Sequence, residues 1–212
     1  MTDAPATVLL TGFEPFDGAA SNPSMEAVRL VAGAWERPEA LVVAELPVSY
    51  RRAGQDLDKL LHVHRPQVAL ATGLAAGRSE LSLERLAVNL RDARIPDNDG
   101  EQPVDTPVQD GPAARWATLP LKRALAALTG AGIPAALSMT AGTYVCNAVA
   151  YRLAAWAQQR LPAAGTAPQA GFVHVPGADV LAPATVAAGL RIVLETALAG
   201  GPDLATPAGS TS

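Results

Sequence analysis

Cysteine occurs once in the 212 residues, at Cys146, so no disulfide can form within the chain. A chain of this length does not need one, because a single domain of about this size buries enough apolar surface to stand without covalent staples. The unpaired thiol points by default to a cytoplasmic location. Histidine is almost as scarce. His62, His64 and His174 are all there is, and the sole cysteine stands apart from the first two, so no Cys/His ligand cluster exists and no metal is expected. Positive charge is short as well: 16 Lys plus Arg face 20 Asp plus Glu, a net charge of −4, with no basic cluster to follow a phosphate backbone. Nucleic acid is thereby excluded as the expected partner. No apolar run approaches the roughly 18 residues of a membrane span, and residues 1–6 lack the basic and apolar regions of a signal peptide, so no membrane partner is expected either.

What is present is an alternation of strand-length apolar runs and helix-period segments. Residues 7–11 read as a strand, followed by a loop and by Asn22-Pro23, an N-cap and first-turn proline that open a helix through Val31. Residues 40–48 read as a second strand. Ser49 then caps a helix whose apolar positions Ala53, Leu57, Leu60 and Leu61 recur at helical spacing and which ends at His62 and His64. Residues 67–72 form a third strand, and residues 81–90 are apolar enough to be extended, with Glu84 on the same side as Leu86, Val88 and Leu90. A carboxylate that points with hydrophobes needs a partner. Residues 91–113 are polar and rich in Asp and Pro, a long segment of the kind that is functional or disordered. A helix over 119–128, a strand over 133–137, a helix over 148–161, a strand over 171–175 and a helix over 181–199 complete the pattern. The alternation predicts one α/β/α sandwich domain with a mainly parallel sheet over residues 1–200, and a small-residue, disordered tail over 201–212.

In a parallel sheet the loops at the carboxyl ends of the strands lie along one edge, where ligands bind. The loop after Thr11, the glycine loop 73–78, Cys146 and the end of the 171–175 strand would meet there. Cys146 sits at the start of its helix, where free N–H groups and the helix dipole favour an anion and so lower a thiol pKa. The competing reading is a small buried hydrophobe. His174 follows 28 residues later, room for one helix down and one strand back. A helix of about 14 residues spans about 21 Å, comparable to a sheet's height, so a Cys146–His174 meeting is geometrically easy. A third group is needed to accept from the second imidazole nitrogen and fix its tautomer. Spacing leaves Glu80, Glu84, Asp92, Asp97 and Asp179 all open for that role.

Several separated motifs point the same way: Leu10-Thr11-Gly12-Phe13-Glu14-Pro15-Phe16 with Asn22-Pro23-Ser24, Gly77-Arg78 with Glu84-Arg85-Leu86-Ala87-Val88-Asn89, Ala93-Arg94-Ile95-Pro96-Asp97-Asn98, and residues 140–147 with Gly171-Phe172-Val173-His174-Val175-Pro176. Together, from about Val8 to about Leu198, they resemble the pyroglutamyl peptidase I (pyrrolidone-carboxyl peptidase) family. The resemblance implies a Cys146, His174 and Glu84 triad, a cytoplasmic cysteine peptidase with no cofactor, removal of N-terminal pyroglutamate from small peptides through an acyl-enzyme, and a homo-oligomer, often a tetramer. It also assigns Phe13, Phe16, Ile95, Tyr144 and Val145 to the pyroglutamyl pocket. Two positions depart from the family pattern: Leu74 stands where many members have Gln, and Tyr144 where many have Phe.

Phe13 and Phe16, two of only three Phe in the chain, share one loop. They could sandwich a flat ring, or plug the loop against the sheet. The backbone N–H of Cys146 is the expected oxyanion donor, with Arg94 as a second, unless Arg94 is spent on an ion pair with Asp92 or Asp97. Two other classes share parts of this constellation: a thiol amidase acting on glutamine-like groups, and a non-enzymatic small-molecule binding module, which lacks the glycine-rich phosphate signatures.

Overall fold

A computed structural model describes residues 6–160 and 167–208. In chain order the elements are β1 (Thr7–Phe13), α1 (Pro23–Gly33), β2 (Ala40–Leu46), α2 (Tyr50–His64), β3 (Val68–Leu74), β4 (Leu81–Glu84), β5 (Leu86–Val88), β6 (Ala114–Trp116), α3 (Leu121–Gly130), β7 (Ala135–Ser138), α4 (Val145–Gln159), β8 (Gln169–Val175) and α5 (Pro183–Leu198). Six strands form one sheet in the order β2-β1-β3-β8-β4-β7, and β5 pairs with β6 in a separate two-stranded ribbon. β1, β2, β3 and β8 are parallel, whereas β4 and β7 are parallel to each other and antiparallel to β8. The mainly parallel α/β/α sandwich is thus present.

Alternation along the strands builds two cores. Val8, Leu10, Val68, Leu70, Val173 and Val175 pack on the side that carries α1, α3 and α5. Leu9, Ala69, Ala71, Ala170 and Phe172 point the other way, under α2 and α4. Both faces are covered, which is why the central strands read as continuous apolar runs. Helix starts follow the capping signals. Asn22 Oδ1 accepts from Ser24 N at 3.1 Å, and Ser49 Oγ accepts from Arg52 N at 3.1 Å.

Several expectations are corrected. The extended run 81–90 is not one strand. At Arg85 the chain leaves the main sheet: Arg85 N still donates to Ser138 O at 2.8 Å, but Arg85 O accepts from Ala117 N at 2.9 Å, and β5 goes on with β6. Glu84 therefore lies on the main sheet, apart from Leu86 and Val88, which belong to the ribbon. Because β7 runs against β8, it does not end at the shared carboxyl edge, and residues 139–144 have to deliver Cys146 to the site. β1 and β3 are longer than expected, since Phe13 pairs with Leu46 and Leu74 with Val175. α4 starts at Val145 rather than at 148, which makes Cys146 its second residue; Leu161, the expected end, is outside the described residues. Within the stretch 201–212, Asp203 accepts from Lys122 N at 3.1 Å and Arg123 N at 2.9 Å, serving as the side-chain cap that Pro120 cannot give α3. Residues 209–212 are outside the described residues.

Gly12 shows how tightly the first loop is set. A methyl group there would lie 2.7 Å from Met25 Cα and 2.8 Å from Met25 N, both backbone atoms of α1. Gly12→Ala is expected to destabilise the fold by about 1–3 kcal/mol through the forced shift of α1. Urea unfolding measures it, and an unchanged midpoint would show that α1 yields freely.

Candidate active site

β8 and β4 place an imidazole and a carboxylate side by side. In their antiparallel register Ser82 faces His174 and Glu84 faces Phe172, so Glu84 and His174 are diagonal neighbours on one face of the sheet. His174 Nδ1 lies 2.7 Å from Glu84 Oε1, with His174 5 % and Glu84 1 % exposed. That bond occupies Nδ1 and leaves Nε2 for a reaction partner. The partner is set by the next strand over. Gly73 of β3 is the register mate of His174, and a methyl group on it would stand 2.8 Å from Cys146 Sγ and 3.0 Å from the Phe172 ring. The sulfur sits in space that only a glycine leaves open, directly beside the strand that carries the histidine.

At the start of α4, Tyr144 makes no side-chain capping bond, so the first-turn N–H groups, that of Cys146 included, have no cap. Asn147, fully buried behind the cysteine, accepts from Val88 N at 3.0 Å and donates to Val88 O and Leu90 O at 2.9 Å each, fastening the β5 segment to the helix. The helix start does not lower the thiol pKa as expected. Burial pushes the Cys146 thiol up to about 12, the Glu84 charge adds to that, and the local backbone hydrogen bond and the Arg78 charge oppose it with less effect. Cys146 keeps part of its surface at the cleft, yet its sulfur lies by the Phe13 and Phe172 rings, where a thiolate would be poorly solvated.

The sulfur opens on a cleft of about 440 Å³, whose walls include Phe13, Phe16, Arg94, Ile95, Tyr144 and Val145. Leu74, which like Tyr144 departs from the family pattern, lines it too. Phe13 is buried, its ring centroid 6.4 Å from that of Phe172, whereas Phe16 is half-buried and pairs with Tyr144 at 5.5 Å. The two Phe are therefore used differently: one is both core and wall, the other rim. Ile95 is exposed at 37 %. Arg94 is exposed, and among the described residues it forms no ion pair with Asp92 or Asp97. Asp97 is occupied elsewhere. Its carboxylate accepts from Tyr50 N at 2.8 Å, Asp99 N at 2.9 Å and Glu101 N at 2.8 Å, which folds the polar loop. Tyr144 donates its hydroxyl to Pro96 O at 2.9 Å, joining that loop to the start of the helix that carries Cys146.

Sequence reasoning gave no role to Arg78 or Asn147, and weighed Asp97 only as a third triad member or as an ion-pair partner of Arg94. The signal for Arg78 was present, because a carboxylate among hydrophobes needs a charge partner, and this arginine is six residues from Glu84. Asn147 acts on backbone groups of the distant β5 segment, and Asp97 on Tyr50 N far back in the chain as well as on Asp99 N and Glu101 N of its own loop, so neither gave such a signal. Among the described residues no group of three or more His, Cys, Asp or Glu is arranged to hold a metal ion, and no helix is long and apolar enough to cross a membrane.

The sequence model for pyroglutamyl peptidase matches residues 6–200. The chain belongs to the pyroglutamyl peptidase family. A pyrrolidone-carboxylate peptidase of Pseudomonas fluorescens SBW25 is 52 % identical over 171 residues, 80 % of this chain and 78 % of that protein. The Bacillus subtilis 168 protein of the same name is 41 % identical over 214 residues, covering 96 % and 97 %. Among solved structures, pyroglutamyl peptidase I from Bacillus amyloliquefaciens superposes with a TM-score of 0.85 at 38 % identity, covering 94 % of this chain and 100 % of that one. Pyrrolidone carboxyl peptidase from Thermococcus litoralis gives 0.87 at 32 % identity, covering 95 % and 99 %. The mixed α/β fold of those structures is therefore the fold of this chain.

The raised thiol pKa has a measurable consequence for this pyroglutamyl peptidase family member. Below the pKa the group is a thiol and above it a thiolate, so alkylation of the free protein by iodoacetamide should keep accelerating from pH 7 through and beyond the ordinary thiol value of 9.0. A plateau already reached at pH 7 would mean a preformed thiolate–imidazolium pair instead.

Proposed function

We propose that Cys146, His174 and Glu84 perform the family's reaction, removal of an N-terminal pyroglutamyl residue from a peptide. The observation that carries this reading is the arrangement on one sheet face: Glu84 on His174 Nδ1, and the Cys146 sulfur over the glycine paired with His174, at the mouth of a mostly apolar cleft. Because the thiol is held protonated, His174 Nε2 acts as general base at the moment of attack. Sγ bonds to the pyroglutamyl carbonyl carbon as its proton passes to Nε2. Glu84 holds the tautomer and stabilises the imidazolium. The Cys146 N–H, uncapped at the helix start, and the Arg94 guanidinium, which forms no ion pair among the described residues, receive the developing oxyanion. Nε2 then protonates the departing amine, a thioester remains, and a water deprotonated by His174 hydrolyses it to free pyroglutamate.

The cleft suits a neutral lactam. Phe13, Phe16, Tyr144, Val145 and Ile95 offer apolar surface to the ring faces, and the backbone N–H groups of Phe16 and Asp17 and the backbone of Ile95, without a hydrogen bond among the described residues, are left for the ring N–H and C=O. No cofactor takes part. The family resemblance also carries a cytoplasmic, homo-oligomeric, tetrameric protein into this reading, with light scattering on the purified chain as its check.

Cys146→Ala is expected to fold and to be inert, and a pyroglutamyl amide should be cleaved at least about 10⁴-fold better in kcat/KM than the matching prolyl amide, whose ring nitrogen is charged and which has no ring carbonyl. Phe16→Ala should raise KM with kcat nearly kept, since it removes ring contact without touching the reacting atoms. Turnover by Cys146→Ala would refute the thiol mechanism; comparable prolyl and pyroglutamyl rates would refute lactam recognition.

A further inference from the structure

Glu84 Oε1 accepts two hydrogen bonds, from His174 Nδ1 at 2.7 Å and from Arg78 Nη1 at 2.8 Å, while Oε2 is buried with no partner among the described residues. A carboxylate at 1 % exposure needs a compensating charge, and a neutral imidazole brings a donor but no charge. Arg78 brings the charge. Its Nη2 donates at the same time to Thr140 O at 2.7 Å, in the segment that leads from β7 to Cys146. The arginine's own backbone is tied down too: Arg78 N donates to Ala75 O at 2.9 Å, and Ala75 N to Val175 O at 2.8 Å, next to His174. The planar guanidinium thus joins the carboxylate to the segment that leads to the thiol, and the arginine's backbone turn ties it to the strand that supplies the imidazole.

We infer that Arg78 is a positioning residue for the reaction. It holds the Glu84 carboxylate in the orientation that directs His174 toward Cys146, and locks that orientation to the 139–144 segment through a two-point bridge. The inference rests on the triad assignment above. The fork geometry matters, because lysine would keep the charge but, as a compact point donor, would not reproduce the planar bridge. The Arg78 charge also opposes the rise that burial and Glu84 impose on the thiol, so its loss leaves the thiolate less favoured.

The test measures kcat and KM on a pyroglutamyl amide, with thermal melts, for the wild type, Arg78→Gln, Arg78→Lys, Glu84→Gln and the Arg78→Gln/Glu84→Gln double variant. Arg78→Gln is expected to lower kcat about 10–100-fold with KM changed less than about threefold, and Arg78→Lys to recover only part of that loss. The double variant should be no more than about twofold slower than Glu84→Gln, because once the carboxylate is gone there is nothing left to position. A kcat near wild type in Arg78→Gln overturns the inference, and so does a double variant whose loss is the product of the single losses. If Arg78→Gln does not fold, Arg78→Lys decides: a wild-type kcat there overturns the bridge, and a reduced kcat at unchanged KM upholds it. Failure of the triad assignment looks different. Glu84→Gln would then turn over at the wild-type rate, and the inference would fall with it.

Discussion

A carboxylate taken out of water has to be paired, and the side of the sheet under α2 and α4 is built around meeting that demand for Glu84. Removing one partner of such a buried pair typically costs about 3–5 kcal/mol, so neither His174 nor Arg78 is a free choice once Glu84 is in place. The direction of β4 follows from it. Antiparallel pairing with β8 puts Glu84 opposite Phe172 and diagonal to His174, on the face toward which the Cys146 sulfur is turned. β7 then takes its direction from β4, and the loop after β7 has to carry the chain back to the start of α4. Thr140, in that loop, is where Arg78 closes the circuit.

The same constraint explains the thiol. Phe13, Phe172 and the rest of the apolar packing that excludes water from Glu84 also exclude it from Sγ, and the Glu84 charge disfavours a thiolate further. A helix N-terminus is worth about 0.3–1 kcal/mol to an exposed anion, which is too little to offset full desolvation. Burial therefore favours the thiol form of Cys146, and on the proposed mechanism charge separates only when a carbonyl carbon is there to receive the sulfur.

The elements most legible in the sequence were those specified locally. The Asn22-Pro23 and Ser49 caps opened their helices where expected, and the apolar runs beginning at Thr7, Ala40 and Gln67 were strands. Cys146 and His174 were legible because each is rare and each falls where a strand or helix ends at the site. Glu84 was not chosen by spacing; the family resemblance chose it, and the structure supplies the geometry that spacing lacked. What escaped depends on partners far along the chain. The break at Arg85 happens because Ala117, 32 residues on, takes its carbonyl, and nothing in residues 81–90 announces this. The reversed direction of β4 and β7 is equally non-local, since a short apolar strand reads the same in either orientation. The thiol pKa was misjudged for a related reason: the helix start is a local signal, but the burial that outweighs it comes from other elements, Phe13 of β1, Gly73 of β3 and Phe172 of β8 among them.

The polar, proline-rich segment that follows Arg91 shows how a loop with little regular structure becomes a rigid wall. Two carboxylates organise it from within and from the side. Asp97 gathers three backbone N–H groups, and Glu14 Oε1 accepts from Val48 N at 2.9 Å and Asn98 Nδ2 at 2.7 Å, binding the loop to the Phe13–Phe16 turn. Each such bond uses an ionised acceptor, about twice as strong as a neutral one. The backbone groups near Ile95 are thereby fixed before any ligand arrives. A small neutral lactam offers few atoms with which to organise a mobile site, and on the proposed reading of the cleft its recognition depends on partners held in place in advance, an end that Asp97 and Glu14 serve by fixing the loop.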